Sequence, residues 1–210
     1  MVSPAEPPSS AFDLRGWKLQ LPGPREIRDL DGYATDAFQL DAAGRIVFAL
    51  DATAPGPTTN SKFVRCELRH LTEWATTGTE HRLDVTVEVD SLFRPDIVTV
   101  AQIHAIGCAR ENRPPLLRVV WQGDRIVAVA KTGDQSERDE RVVLRTGTAQ
   151  GPTHITITTG DGRLRVAVDD EPALEREVSW WPWKNYFKTG CYPQARTGRG
   201  TVRLSRLTVR

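Results

Sequence analysis

The chain has 210 residues, 39% hydrophobic and 26% charged, which is the composition of a globular protein with enough apolar residues for a sizeable core. Lys and Arg number 28 against 27 Asp and Glu, so a net charge of +1 argues against nucleic-acid binding through a bulk positive field. No apolar run approaches the ~20 residues of a membrane helix, so we expect no membrane partner. The three cysteines are too few for a disulfide scaffold and form no CxxC metal site.

The N-terminal residues 1–10 are small, polar and rich in proline, which predicts a flexible leader, such as the remainder of a removed secretion signal. We therefore expect a secreted protein, although no signal-peptide pattern is present in this chain. Residues 11–210 contain no linker-like stretch, low-complexity tract or internal repeat. They predict a single domain, which we expect to be monomeric.

Apolar and polar residues alternate with a period of two along most of the remaining chain, the pattern of half-buried β-strands. Turn residues at 123–124 and 160–162 predict two hairpins. No segment of a dozen residues carries a clean helical stripe, so we predict an all-β fold, a jelly-roll sandwich of two antiparallel sheets. The predicted strands, in chain order, are 17–21, 45–50, 62–70, 83–89, 97–105, 117–121, 126–130, 141–145, 154–158, 163–168, 186–194 and 202–209.

Three of these strands carry long polar side chains on one face, since alternate residues of a strand point the same way. Each row alone is more often a solvated or structural feature than a functional site. Together they predict a concave groove, if the three strands lie on one sheet. The rows are Arg65, Glu67 and Arg69 on the first strand, Gln102 and His104 on the second, and Tyr186, Lys188, Gly190, Tyr192 and Gln194 on the third.

Four motifs resemble, in the same order, those of polysaccharide lyase family 7, the alginate lyases. They are WKLQLP at 17–22, RCELR at 65–69, QIH at 102–104 and YFKTGCYPQ at 186–194. The coincidence of several motifs over nearly the whole chain carries the resemblance, where any one motif would be weak. Four residues depart from the family pattern, and their positions along the strands place them on the face away from the predicted groove. They are Cys66, Thr189, Cys191 and Pro193.

This resemblance implies a lyase that cleaves 1,4-linked polyuronates such as alginate by β-elimination, giving unsaturated oligouronates. A base removes the proton at C5, an acid protonates the leaving oxygen at C4, and donors offset the charge that gathers on the carboxylate. The implied partner is an acidic polysaccharide, and neither a metal nor another cofactor is implied. The resemblance assigns catalysis to Arg65, Gln102, His104 and Tyr192, and substrate binding to Glu67, Arg69, Lys188 and Gln194.

Two alternative functions remain open, a lyase for another polyuronate such as glucuronan and a non-catalytic carbohydrate-binding jelly roll. A binding module has no reason to keep both proton carriers, His104 and Tyr192, so the enzyme is favoured. In the family that the chain resembles, an Ile between the Gln and the His is associated with guluronate, and here that residue is Ile103. We therefore expect cleavage of polyguluronate or mixed blocks, with internal attack on the polymer.

The cysteines also leave two alternatives. Cys66 and Cys191 lie on strands that the resemblance places in one sheet, so they are either paired in a disulfide or buried as free thiols. Cys108 follows the strand of Gln102 and His104, in a predicted loop, and would be the odd thiol.

Overall fold

The computed structural model describes residues 5–23, 25–54, 63–106, 115–133, 138–147 and 151–210. Within these ranges the chain forms fifteen strands and one 3-10 helix, Pro8–Ser10, and no helix there has the length and apolar composition of a membrane span. The strands are β1 (Trp17–Leu21), β2 (Arg25–Ile27), β3 (Phe38–Leu40), β4 (Ile46–Asp51), β5 (Cys66–His70), β6 (His81–Ser91), β7 (Ile97–Ala105), β8 (Pro115–Gln122), β9 (Arg125–Lys131), β10 (Asp139–Thr146), β11 (Thr153–Gly160), β12 (Arg163–Val168), β13 (Glu171–Glu177), β14 (Asn185–Pro193) and β15 (Arg199–Val209).

These strands form two antiparallel sheets that stack on each other, which confirms the predicted jelly-roll sandwich. The eight-stranded sheet, which we call the groove sheet, has the order β10-β9-β8-β7-β14-β5-β1-β2. The seven-stranded sheet has the order β13-β12-β11-β6-β15-β4-β3. Apolar side chains from both sheets, among them Phe48 and Phe187, are buried between them in one continuous core. Burial of this apolar surface is the main stabilising contribution to such a sandwich.

Three predicted strands begin and end where the structure has them, those at 17–21 and 97–105 in the groove sheet and that at 163–168 in the seven-stranded sheet. Three strands were not predicted: β2, β3 and β13. β2 and β3 have three residues each, too few to show a period. β13 lies at a sheet edge, and its single buried residue, Leu174, leaves no alternating apolar pattern.

The N-terminal segment packs on the sandwich in its described part, whereas the sequence predicted a flexible leader for residues 1–10. Pro8, the first residue of the 3-10 helix, is buried. The backbone N–H of Leu40 donates to the Glu6 carbonyl at 2.9 Å, and the Gly32 N–H donates to Ser9 Oγ at 3.0 Å. These contacts attach residues 5–10 to β3 and the preceding loop, and residues 1–4 lie outside the described ranges.

Cys66 and Cys191 are free, buried thiols that lie directly opposite each other on β5 and β14. The Cys66 thiol donates a hydrogen bond to the Ala37 carbonyl at 3.3 Å. Burial raises the pKa of both thiols, so they stay protonated and pack as small apolar groups. The disulfide alternative is therefore absent from this structure, and Cys108 lies outside the described residues.

Candidate active site

The three polar rows predicted from the sequence lie on neighbouring strands, β5, β14 and β7, in the middle of the groove sheet. Lys188 of β14 lies opposite Arg69 of β5 on one side and opposite Gln102 of β7 on the other. Tyr186 lies opposite His104 on β7. Because directly opposed residues point to the same face of a sheet, these side chains share one surface. The expected common groove face is thus present.

The remaining predicted residues extend this surface along the strands. The pairing of β14 with β5 ends at Cys191 and Cys66, so Tyr192 and Arg65 each lie one residue beyond this last pair, and Tyr192 lies opposite Thr99 of β7. The Arg65 side chain is mostly buried. Gln194 follows the end of β14, and its backbone N–H donates to the Ile97 carbonyl at 2.9 Å. Arg65 and Tyr192 therefore lie further along the strands than Lys188 and Gln102.

A bulge in β14 aligns Tyr192 with β7. β14 runs in register along β5 but gains one residue relative to β7 between Thr189 and Tyr192. Gly190, inside this bulge, has a φ of 139°, which L side chains rarely adopt. A Cβ atom at Gly190 would lie 2.5 Å from the carbonyl oxygen of Cys66 and 2.8 Å from Glu67 Cα. The bulge therefore requires glycine.

We expect Gly190→Ala to lower the free energy of unfolding by roughly 1–3 kcal/mol because of the unfavourable backbone conformation. The steric overlap of the new Cβ atom with β5 adds to this loss. We also expect lower turnover, because the substitution displaces Tyr192. Urea unfolding and initial rates measure the two effects. Gly123→Ala is the matched control, because Gly123 also has a positive φ, 60°, but nothing lies within 4 Å of the position that a Cβ atom would occupy there. Equal stability losses in the two variants, with full turnover in both, would contradict the role of the bulge.

Glu67 is the centre of a buried hydrogen-bonded cluster. Its Oε1 accepts from Gln102 Nε2 at 2.5 Å, its Oε2 accepts from Lys188 Nζ, and Arg65 Nε lies 4.0 Å from Oε2. The Glu67 and Lys188 side chains are only 1% and 2% exposed. The family resemblance implied that both bind substrate, and in this structure their charged atoms are directed at each other below the groove surface. Alternation along a strand assigns a face and not a depth, which is why this expectation differs from the structure.

The cluster also constrains Lys188 and Gln102. Burial lowers the pKa of Lys188 to about 8, and the carboxylate of Glu67 opposes that shift. The Glu67 carboxylate therefore stabilises the Lys188 ammonium in a buried site that otherwise disfavours charge. One amide hydrogen of Gln102 is donated to Glu67, which leaves the second available to another acceptor.

His104 is a neutral histidine with a defined tautomer. Burial and the neighbouring Lys188 ammonium lower its pKa to about 4. Its Nδ1 lies 2.9 Å from the Ala105 carbonyl oxygen, which can only accept, so Nδ1 carries the proton. In a neutral imidazole the other nitrogen, Nε2, then has the free lone pair. His104 is thus in the form that can accept a proton near neutral pH.

Two residues at this surface received no role from the sequence. Tyr186 stacks on His104, with ring centroids 5.4 Å apart and an angle of 17° between the rings. Arg118 of β8 lies opposite Gln102, and its guanidinium is 3.8 Å from Asp139. The signal for Arg118 was a lone charge inside the apolar run LLRVVW at 116–121. The signal for Tyr186 was its place in the polar row of β14.

One row of directly opposed residues crosses seven strands of the groove sheet, and five of its members are cationic. Lys18 and Lys188 are buried and paired with Glu26 and Glu67, so the cations of this row that remain partly exposed and favour a polyanion across the strands are Arg69, Arg118 and Arg141. The row consists of Lys18, Arg69, Lys188, Gln102, Arg118, Val129 and Arg141.

Among the described residues, no group of three or more His, Cys, Asp or Glu is arranged to hold a metal ion.

Comparison with known proteins gives one family and many similar structures. A family model described as alginate lyase matches residues 12–210. Alginate lyase A1-II′, a member of polysaccharide lyase family 7, is 28% identical with a TM-score of 0.88, covering 97% of each chain. A His-to-Asn, Tyr-to-Phe variant of A1-II′ in complex with substrate is 27% identical with a TM-score of 0.90, over 99% of this chain and 97% of that one. Alginate lyase PA1167 from Pseudomonas aeruginosa is 26% identical with a TM-score of 0.86, over 95% and 99%. A comparison with curated proteins finds no match.

Proposed function

Because this chain belongs to the alginate lyase family and is a polysaccharide lyase acting on a polyuronate, we propose that it cleaves polyguluronate or mixed blocks internally, with His104 as base and Tyr192 as acid. The observation that carries this proposal is the neutral His104, with Nδ1 protonated and Nε2 free to accept a proton. Such a group meets the first requirement of β-elimination, removal of the proton at C5.

The elimination also requires stabilisation of the charge that accumulates on the sugar carboxylate. A guanidinium binds a carboxylate through two parallel hydrogen bonds, and Arg65 provides that group just before β5, at the end where Tyr192 follows Cys191 on β14. The free amide hydrogen of Gln102 supplies a second donor. Glu67 and Lys188 act in this proposal as positioning residues, because their contacts hold Gln102 and the backbone of β14 in place. Fixed donors of this kind stabilise developing charge at little reorganisation cost.

The positions of the two proposed proton carriers support the proposed guluronate preference. His104 is opposite Tyr186, and Tyr192 follows Tyr186 by six residues on the same strand, so the two groups flank the patch formed by Gln102 and Lys188. In guluronate the C5 proton and the C4 oxygen lie on opposite sides of the ring, which requires base and acid on opposite sides. Ile103, fully buried between Gln102 and His104, is the residue that the family resemblance links to guluronate.

Further support comes from the related enzyme A1-II′, whose structure with bound substrate carries a His-to-Asn and a Tyr-to-Phe substitution. If a histidine and a tyrosine transfer the protons, replacing both would leave the substrate bound but not cleaved. Here His104 and Tyr192 supply the same two residue types on the groove face.

Internal cleavage is supported by three partly exposed cations of the row, Arg69, Arg118 and Arg141, which lie from β5 to β10 across the groove sheet. Neighbouring strands are spaced about 4.8 Å apart, so these arginines span roughly 24 Å. A surface of that length accommodates several sugar units on both sides of the bond to be cleaved. Such binding suits attack within a polymer.

The test measures ultraviolet absorbance from the new C4–C5 double bond with separated polyguluronate, mixed-block and polymannuronate substrates. We expect faster initial rates on polyguluronate or mixed blocks, and early products of many sizes by size-exclusion chromatography. Glucuronan is assayed in parallel, as the substrate of the alternative lyase. A clear polymannuronate preference would overturn the proposed specificity, and early products of one short length would overturn internal cleavage.

A further inference from the structure

Tyr186 contacts the proposed base through both its ring and its hydroxyl. It lies directly opposite His104, and the two rings are almost parallel. Its hydroxyl is 3.2 Å from Nδ1 of His104. The phenol therefore meets the imidazole both through its face and through its hydroxyl.

The hydroxyl contact concerns the nitrogen that already carries the proton. Nδ1 donates to the Ala105 carbonyl, so the Tyr186 oxygen shares the same N–H as a second acceptor. If the proton moved to Nε2, the carbonyl of Ala105 would face a lone pair and lose its hydrogen bond. The Ala105 carbonyl therefore selects the tautomer whose Nε2 is free, and the Tyr186 hydroxyl adds a second contact at Nδ1 that fixes the orientation of the ring.

Tyr186 is itself held in place from its other side. The guanidinium carbon of Arg69 lies 4.0 Å from the centre of the Tyr186 ring, a cation–π contact, and Arg69 also pairs with Glu73 at 3.2 Å. Burial raises the pKa of Tyr186, so its hydroxyl remains neutral in the range where the lyase would operate. Tyr186 is thus a fixed neutral group between Arg69 and His104.

We propose that Tyr186 is a positioning residue for the lyase reaction, holding the His104 ring in the orientation that aims Nε2 at the C5 proton. This inference rests on the proposed role of His104 as base. Nothing in the reaction requires Tyr186 to contact the sugar, so its loss affects turnover more than substrate binding.

Tyr186→Phe keeps the ring and removes only the hydroxyl. A hydrogen bond of this kind contributes about 0.5–1.5 kcal/mol, so we expect kcat to fall roughly 2- to 12-fold with KM little changed. Tyr186→Leu also removes the stacking and lowers kcat further. In ¹⁵N-edited NMR spectra of the imidazole, we expect the Nδ1 resonance of His104 to shift in Tyr186→Phe, because Nδ1 loses one of its two contacts, while Nδ1 stays the protonated nitrogen through its hydrogen bond to the Ala105 carbonyl.

Tyr33→Phe is the matched control, because the Tyr33 hydroxyl is buried without a hydrogen-bond partner among the described residues. This variant should leave both kcat and the imidazole spectrum unchanged. Because the spectrum does not depend on turnover, the experiment distinguishes failure of the proposed function from failure of the role proposed for Tyr186. Full activity of His104→Ala would overturn the proposed function, and this role with it. An inactive His104→Ala combined with unchanged kcat in Tyr186→Phe would overturn the role of Tyr186 alone.

Discussion

His104→Ala and Tyr192→Phe are each expected to lower kcat on polyguluronate by roughly 10²–10⁴-fold, the usual contribution of a general base or acid. The base must be unprotonated to act, and burial and Lys188 lower the pKa of His104 to about 4. In the unsubstituted protein, kcat/KM should therefore fall only as the pH drops through about 4, and not near the ordinary histidine value. Initial rates over a pH series measure both effects.

His81→Ala and Tyr33→Phe provide controls of the same chemistry outside the groove. His81 stacks on Trp74 from β6, in the seven-stranded sheet, and Tyr33 packs beside the core. Each control should retain most of the activity. Near-normal turnover of Tyr192→Phe would show that another group protonates the leaving oxygen. A fall of kcat/KM near the ordinary histidine pKa would show that His104 is not the neutral buried base described above.

Glu67→Gln is expected to lower the free energy of unfolding by about 3–5 kcal/mol at mildly acidic pH, the usual cost of removing one partner from a buried ion pair. The substitution keeps the shape of the side chain but leaves the Lys188 ammonium buried without its carboxylate. It also removes the acceptor that holds the Gln102 amide, so kcat should fall as well. Urea unfolding and initial rates on polyguluronate measure the two consequences.

The pH dependence of this stability has a definite sign. Lys188 has a pKa of about 8 in the folded protein, below its ordinary value of 10.5, so the unfolded chain binds more protons between these two values. Its contribution to the free energy of unfolding therefore rises as pH rises through that window. In Glu67→Gln the attraction of the carboxylate is lost and the pKa of Lys188 falls further, so stability begins to rise at a lower pH. The gap between the two proteins should be widest at acidic pH and narrow as the pH approaches the folded-state pKa of Lys188.

Glu73→Gln is the control for a carboxylate in the same part of the groove sheet. Glu73 pairs with Arg69 at 3.2 Å but is 34% exposed, and exposed pairs contribute at most about 1 kcal/mol. A loss of stability in Glu67→Gln no greater than that in Glu73→Gln would contradict the structural importance of the buried pair.

Local patterns in the sequence are enough to predict most strands of the sandwich and the sheet face on which each of the three polar rows lies. A period of two is a property of neighbouring residues, so it places Gln102 with His104 and Tyr192 with Lys188 without knowledge of the fold. The motifs at 65–69, 102–104 and 186–194 then indicate the family, which the family model over residues 12–210 confirms. Short or polar edge strands such as β2 and β13 lack this pattern and could not be predicted.

The tertiary structure alone decided what each polar side chain contacts. Strand order brings β5, β14 and β7 together, and only their register places the Lys188 ammonium on Glu67 and the Tyr186 ring on His104. The same non-local pairing brings Arg118 beside Gln102 from a strand whose sequence reads as apolar. Alternation determines which face a residue occupies, whereas depth, partner and pKa depend on groups that are distant in sequence. For that reason the pairing of the Glu67 carboxylate with the Lys188 ammonium, and the burial of both, could be seen only in the structure.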